Sequence, residues 1–103
     1  MGTSSENHIL GVITGHHKDC PIYSAELEVM FDISGSELRK IIRELRREGY
    51  PIASSHSGYY YARSYDQIKG TVEDLESRAR SLITTASKIK KSFNIQPTLF
   101  DNL

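Results

Sequence analysis

Apolar residues recur at helical spacing in the first half of the chain and predict three short helices. Ile9, Leu10 and Ile13 predict a helix over about residues 6–14, which Gly15 ends. A very short strand is possible at 22–23. Ser24 is a suitable N-cap for a second helix over about 25–31, because its hydroxyl can accept a hydrogen bond from the next turn. The third helix follows after a tight turn.

The third predicted helix has a recognisable start and end. Ser34 and Glu37 have the spacing of a capping box, in which the Ser hydroxyl accepts a hydrogen bond from the backbone of the first turn. Its apolar positions are Leu38, Ile41, Ile42 and Leu45. Gly49 can take the left-handed position that follows a helix. We therefore expect an amphipathic helix from Ser36 to about Glu48.

Two short aromatic and β-branched segments after this helix predict a β-hairpin. Pro51 forbids further helix, and residues 52–55 and 59–63 have strand character on either side of a glycine-containing turn. Alternation along the second strand places Tyr59 and Tyr61 on one face, which we expect to face the core. Tyr60 lies on the other face and is expected to be exposed.

The remaining apolar positions recur with spacings of four and three over a long helix from about residue 65 to Phe93, which Ser64 or Asp66 can cap. The positions are Ile68, Val72, Leu75, Ala79, Leu82, Ala86, Ile89 and Phe93. Val72, Ala79, Ala86 and Phe93 take the a positions of a heptad, and the other four take the d positions. A small domain cannot cover a stripe about 42 Å long, so we expect a homodimer. Ile83 widens the stripe and leaves a higher-order bundle open. Folding back on the chain's own domain is the alternative.

Charge is balanced overall but unevenly distributed. The 103 residues carry 13 basic and 13 acidic side chains, a net charge of zero, which argues against a nucleic-acid-binding protein. Five basic residues nevertheless cluster on the third predicted helix, namely Arg39, Lys40, Arg43, Arg46 and Arg47. A solvated helix face is the simpler explanation of such a cluster, so charge alone does not predict DNA binding.

Several patterns indicate the compartment and exclude other kinds of site. Cys20 is the only cysteine, which suits a reducing cytoplasm, and no apolar run approaches the about 18 residues of a membrane span. Residues 1–7 contain no basic segment typical of a signal peptide. His16, His17 and Cys20 lack an evident fourth metal ligand. No nucleophile–base pair or phosphate-binding glycine loop is recognisable. We expect no metal, no cofactor and no enzymatic activity.

The segment from Leu45 to Ile52, Leu-Arg-Arg-Glu-Gly-Tyr-Pro-Ile, followed by Gly58-Tyr59, resembles the winged helices of biotin-operon-repressor type. The resemblance covers about 40 residues. It implies a winged helix-turn-helix whose third helix enters the major groove of duplex DNA. By that resemblance, the residues facing the groove are Ser36, Arg39, Lys40 and Arg43. Arg46 and Arg47 would contact phosphate or solvent, and the wing candidates are His56, Ser57 and Arg63.

The C-terminal segment Gln96-Pro-Thr-Leu-Phe-Asp resembles the peptide that binds the bacterial sliding clamp. By that resemblance, Leu99 and Phe100 would enter an apolar pocket and Gln96 would bind its rim. Pro97 departs from the Leu common at the second position. The layout also resembles small replication-associated proteins of phages and mobile elements, which implies the cytoplasm of a bacterial cell or an infected host.

These patterns predict a mainly α protein with a small antiparallel β-hairpin: a winged helix-turn-helix over 1–64, a coiled-coil-like dimerisation helix over 65–93, and a tail over 94–103. The function expected is duplex DNA binding as a dimer, in transcription regulation or DNA replication. The alternative is a protein-interaction adaptor that binds the bacterial sliding clamp through the tail, with the winged helix serving a structural role.

Overall fold

The computed structural model describes residues 4–93 and is mainly helical, with one two-stranded antiparallel hairpin and a long C-terminal helix. The elements are α1 (Ser4–Thr14), α2 (Ser24–Phe31), α3 (Gly35–Arg47), β1 (Ile52–Ser55), β2 (Gly58–Tyr61) and α4 (Tyr65–Ser92). The chain divides into two compact units, Met1–Lys69 and Gly70–Leu103. In the described range, no helix has the length and apolar character needed to cross a membrane. The predicted tail at 94–103 lies outside this range.

The first unit is organised around one apolar cluster to which all three short helices and β1 contribute. Its buried members are Ile9, Ile13, Ile22, Leu27, Leu38, Ile42, Leu45 and Ile52. The helical members are spaced three or four residues apart within α1 and α3, so each of these helices presents one apolar stripe to the cluster. The apolar residues whose spacing predicted these helices are therefore among the residues that the helices bury.

Local capping explains both ends of α3. The Ser34 hydroxyl accepts a hydrogen bond from the Glu37 backbone nitrogen at 3.1 Å, as the capping box predicts. At the other end, Gly49 has a φ of 100°. Its nitrogen donates to the Arg46 carbonyl at 3.0 Å, and the Tyr50 nitrogen donates to the Leu45 carbonyl at 3.2 Å. These two bonds are those of a Schellman motif, which ends the helix.

The cap predicted for α2 is wrong. Tyr23 occupies the N-cap position and makes no side-chain capping bond, and Ser24 is the first helical residue. Ile22 is the reason, because it forms an antiparallel bridge with Tyr59. This pairing leaves only Tyr23 between the bridge and the first turn of α2.

The hairpin is fixed to the rest of the first unit by that bridge. The Ile22 nitrogen donates to the Tyr59 carbonyl, and the Tyr59 nitrogen donates to the Ile22 carbonyl, both at 2.8 Å. The preceding residue, Gly58, has a φ of 124°, and a Cβ added there would lie 2.1 Å from the Ile22 oxygen. Only glycine allows this approach of the two backbones.

The expectation that Tyr60 is exposed is wrong. Tyr60 is 8% exposed and is buried with Ala53 and Ala62, and Ile68 of α4 packs against this second cluster. The Tyr60 hydroxyl donates to the Gln67 carbonyl at 3.1 Å. The first turn of α4 thus covers the face of the hairpin that the strand pattern alone assigns to solvent.

Candidate nucleic-acid interface

Helix α3 separates a buried apolar face from an exposed basic face. Leu38, Ile42 and Leu45 are at most 2% exposed. The residues expected to face the groove, Ser36, Arg39, Lys40 and Arg43, are exposed, and so is Arg47. At 3.6 residues per turn, this second set is centred on the side of the helix opposite the core. The arrangement leaves a convex basic surface of about three turns.

Three cations of this face have no partner in the part of the chain that the structure describes. Within residues 4–93, Arg39, Lys40 and Arg43 make no side-chain hydrogen bond or ion pair. Arg47 differs, because its guanidinium lies 3.1 Å from the Glu44 carboxylate. Both members of that pair are exposed, so the pair contributes little stability and can exchange for another anion.

Arg46 has an internal role that the sequence did not reveal. Its Nε donates to the Ile52 carbonyl at 2.9 Å, and its Nη2 donates to the Ser54 hydroxyl at 3.3 Å. The side chain is half-buried and connects α3 to β1. A phosphate contact by Arg46 remains a prediction, but such a contact competes with these bonds. No local sequence pattern predicts these two hydrogen bonds, because the acceptors lie six and eight residues away across a turn.

One carboxylate lies close to the basic face. A Cβ placed on Gly35 would be 3.3 Å from Arg39 Nη1 and 3.5 Å from Glu28 Oε1, so the Glu28 carboxylate of α2 and the Arg39 guanidinium both lie beside the first residue of α3. A negative charge there lowers the positive potential at the start of α3. Glu28 therefore opposes the attraction of an anion to this end of the helix.

The expected wing residues are divided between two ends of the hairpin. His56 is exposed and Ser57 half-buried at the tip, where the Ser57 nitrogen donates to the Ser55 hydroxyl at 3.2 Å. Arg63 is exposed but follows the opposite end of β2, and its nitrogen donates to Gln67 Oε1 at 2.8 Å. The structure thus brings together the two tip residues and separates Arg63 from them.

The His-His-x-x-Cys segment forms a hydrogen-bonded turn. The His16 Nδ1 donates to the Cys20 carbonyl at 2.8 Å, and His17 and Cys20 form a backbone bridge. The His16 carbonyl in turn accepts from the Tyr61 nitrogen at 3.0 Å. Among residues 4–93, no group of three His, Cys, Asp or Glu side chains is arranged to hold a metal. This turn connects α1 to β2.

The heptad positions of α4 differ in accessibility. Ile68 packs against the buried face of the hairpin in the first unit. Val72 is half-buried. The other six positions, Leu75, Ala79, Leu82, Ala86, Ile89 and Phe93, are exposed. Leu82 is 72% exposed and Phe93 75%, which is unusual for apolar side chains of this size. The exposed apolar stripe therefore runs from Leu75 to Phe93.

The tail residues Gln96, Leu99 and Phe100 lie outside the described range. Their predicted contact with a sliding clamp therefore rests on the sequence. Comparison of the chain with family models, with curated proteins and with solved structures found no match.

Proposed function

We propose that this protein is a winged-helix protein that binds duplex DNA as a homodimer and acts in transcription regulation or DNA replication. The main support for the proposal is the exposed face of α3, where Arg39, Lys40 and Arg43 have no side-chain hydrogen bond or ion pair within the described residues 4–93. A helix fits the major groove, and its Arg and Lys side chains can reach guanine edges or phosphates.

The order of elements supports this proposal. Two helices, α2 and α3, are separated by three residues, and a hairpin follows α3 directly. This is the order of a winged helix-turn-helix, in which the second of those helices enters the groove. In such an arrangement, the exposed His56 at the hairpin tip lies beside the neighbouring phosphate backbone.

The zero net charge is compatible with binding because the field at a surface depends on local charges. Within Gly35–Arg47, five side chains are basic and two are acidic. Exposed charges more than about 10 Å away are largely screened at moderate salt, so acidic residues elsewhere have little effect on this face. Binding through α3 should therefore weaken steeply as salt concentration rises.

Duplex binding by the full chain is measured by fluorescence anisotropy over a salt series, on a sequence selected from random duplexes. We expect the double variant Arg39→Ala with Arg43→Ala to bind at least tenfold more weakly. If both residues contact phosphate, the slope of log K against log salt falls by about two. The matched control is Lys88→Ala with Lys91→Ala, which removes the same charge from exposed positions of α4.

Two results would contradict the assignment of α3. Unchanged binding by the Arg39 and Arg43 double variant would show that another surface holds the duplex. An equal loss in the Lys88 and Lys91 control would show that binding depends on total charge instead of the basic face. Far-UV circular dichroism of each variant establishes that the helices remain folded.

The exposed stripe from Leu75 to Phe93 supports the homodimer. A second copy offers the same stripe, and a twofold pair would join two DNA-binding modules. Sedimentation equilibrium at micromolar concentration should give twice the chain mass of 11.7 kDa. Replacing Leu82 by Asp places a charge in the stripe and should give a monomer. A monomeric mass for the unsubstituted chain would contradict the dimer.

The sequence motif at Gln96–Phe100 favours a second candidate, an adaptor that binds the bacterial sliding clamp. We expect the full chain to retain an immobilised clamp and the Leu99→Ala with Phe100→Ala variant to lose it. The duplex-binding affinity of that variant should be unchanged, which separates the two activities. Clamp binding that persists in the variant would eliminate the tail as the contact.

A further inference from the structure

Six apolar heptad positions are exposed, five in α4 and Phe93 directly after it, and they are spaced symmetrically along the chain. Leu75 and Phe93 lie nine residues on either side of Thr84, Ala79 and Ile89 five residues, and Leu82 and Ala86 two. We propose that two copies of α4 pair antiparallel, with the twofold axis level with Thr84. The inference rests on the homodimer of the proposed function and specifies its orientation and register.

The sizes of the facing side chains favour the antiparallel pair. An antiparallel pair with this axis places each exposed apolar residue against the one equally far from Thr84 on the second copy. Ala79 then faces Ile89 of the partner subunit, and Leu82 faces Ala86 of the partner subunit. In these two kinds of layer, a large side chain faces a small one, which fills the space between the helices. At each end of the pair, Leu75 faces Phe93 of the partner subunit.

A parallel pair packs the same residues less well. Each position would then face itself, so Ala79 and Ala86 would each form a layer of two alanines. Layers of two methyl groups between layers of two Leu or Ile side chains leave gaps at any single helix separation. Such gaps forfeit contacts and destabilise the pair.

Charges beside the stripe favour the same orientation. In the antiparallel pair, the e positions of the two helices are neighbours, so Glu76 lies beside Lys90 of the partner subunit, and this occurs twice. Ile83 lies beside Ile83 of the partner subunit at the axis, so the two side chains that widen the apolar stripe cover each other. In a parallel pair, Glu76 would neighbour Thr71 and Lys90 would neighbour Thr85, so neither charge would have an oppositely charged neighbour.

The structure also distinguishes this register from a longer one. Moving the axis by half a heptad would extend the pair to Ile68 and Val72. Ile68 is already packed against the hairpin, and Val72 is half-buried. That register would also place Lys69 beside Lys90 of the partner subunit, which is repulsive. The exposed positions and the charges therefore agree on an axis at Thr84.

Spin-label distances test the orientation in the full chain. Ser77 and Thr84 are both exposed f positions, and single labels are attached to Ser77→Cys or Thr84→Cys in a Cys20→Ser background. In the antiparallel pair, the two Ser77 labels are offset by about 21 Å along the axis, and the two Thr84 labels are level. The Ser77 distance should therefore exceed the Thr84 distance by roughly 10 Å.

A charge exchange tests the register. Glu76→Lys alone should weaken the dimer roughly tenfold, because two favourable pairs per dimer become repulsive. Adding Lys90→Glu should restore the original affinity, with the two charges exchanged. The matched control is Lys91→Glu in place of Lys90→Glu, which changes the same charge at the neighbouring exposed position and should not restore it.

The outcomes separate failure of this inference from failure of the proposed function. Equal distances at Ser77 and Thr84 in a dimer indicate a parallel pair and overturn the inference while leaving the homodimer intact. A dimer that Lys90→Glu does not restore overturns the register. A monomeric mass overturns both the homodimer and its orientation, and a tetrameric mass overturns the two-helix pairing.

Discussion

Replacing Gly58 by alanine tests how the hairpin is attached to the first unit. The added Cβ would lie 2.1 Å from the Ile22 oxygen, 2.5 Å from the Ile22 carbonyl carbon and 2.9 Å from the Tyr23 nitrogen. All three are backbone atoms and cannot turn away as a side chain can. The backbone must therefore separate at the point where Ile22 and Tyr59 are paired.

The loss of stability has two components. A φ of 124° is unfavourable for alanine and costs about 1–2 kcal/mol. Separating the backbones also breaks the two 2.8 Å hydrogen bonds between Ile22 and Tyr59, each worth about 1 kcal/mol. The free energy of unfolding should therefore fall by about 3–4 kcal/mol, a large part of the total for a small domain.

Two other glycines provide controls: Gly49 has the conformational component alone, and Gly11 has neither component. Gly49 has a φ of 100° but open space around the added Cβ, so Gly49→Ala should cost only the conformational part, about 1–2 kcal/mol. Gly11 lies inside α1, also with open space and without a positive φ. Gly11→Ala should raise the free energy of unfolding by about 0.5–1 kcal/mol, because alanine favours a helix.

The assay is urea denaturation of the full chain followed by far-UV circular dichroism. Tyrosine fluorescence offers a second probe, since the chain has six Tyr and no Trp. All variants are compared at one protein concentration, because the proposed dimer would add to apparent stability. If Gly58→Ala costs no more than Gly49→Ala, the contact between Gly58 and Ile22 is refuted, and with it the attachment of the hairpin.

Three further substitutions test capping, helix–strand bonding and charge. Ser34→Ala should lower the free energy of unfolding by about 1 kcal/mol in the same assay, because the first turn of α3 loses its cap; no loss would contradict the bond to Glu37. Arg46→Gln should cost about 1–3 kcal/mol and Arg47→Gln under about 0.5 kcal/mol, because Arg46 bonds to β1 whereas Arg47 pairs with the exposed Glu44; equal costs would contradict the bonding of Arg46. Glu28→Gln should tighten duplex binding by about twofold to fivefold at low salt; unchanged anisotropy titrations would show that Glu28 does not act on the basic face.

The features that the sequence predicted correctly depend on neighbours in the chain. The cap at Ser34 and the end of α3 at Gly49 each involve residues within five positions, so the pattern contains the whole cause. The apolar stripe of α3 is equally local, since Leu38, Ile42 and Leu45 follow from helical spacing. For the same reason, exposure of the opposite basic face could be predicted.

The features that the sequence missed depend on partners brought close by folding. Ser24 is a good capping residue, but the bridge between Ile22 and Tyr59 sets where α2 begins. Tyr60 alternates correctly with its neighbours, yet α4 covers its face of the hairpin. In both cases, the local preference was sound and a contact with a distant segment decided the outcome.

Burial of Tyr60 also bears on how a second copy can bind. The heptad pattern of α4 runs without interruption from Ile68, so the sequence alone offers eight positions to a partner helix and does not say where pairing begins. Ile68 packs with Tyr60 on the hairpin and Val72 is half-buried, which removes the first two of those positions from the exposed stripe. The exposed remainder is centred at Thr84 instead of nearer the middle of α4. Ile68, which covers the hairpin, would therefore also help to determine the register proposed for two α4 helices.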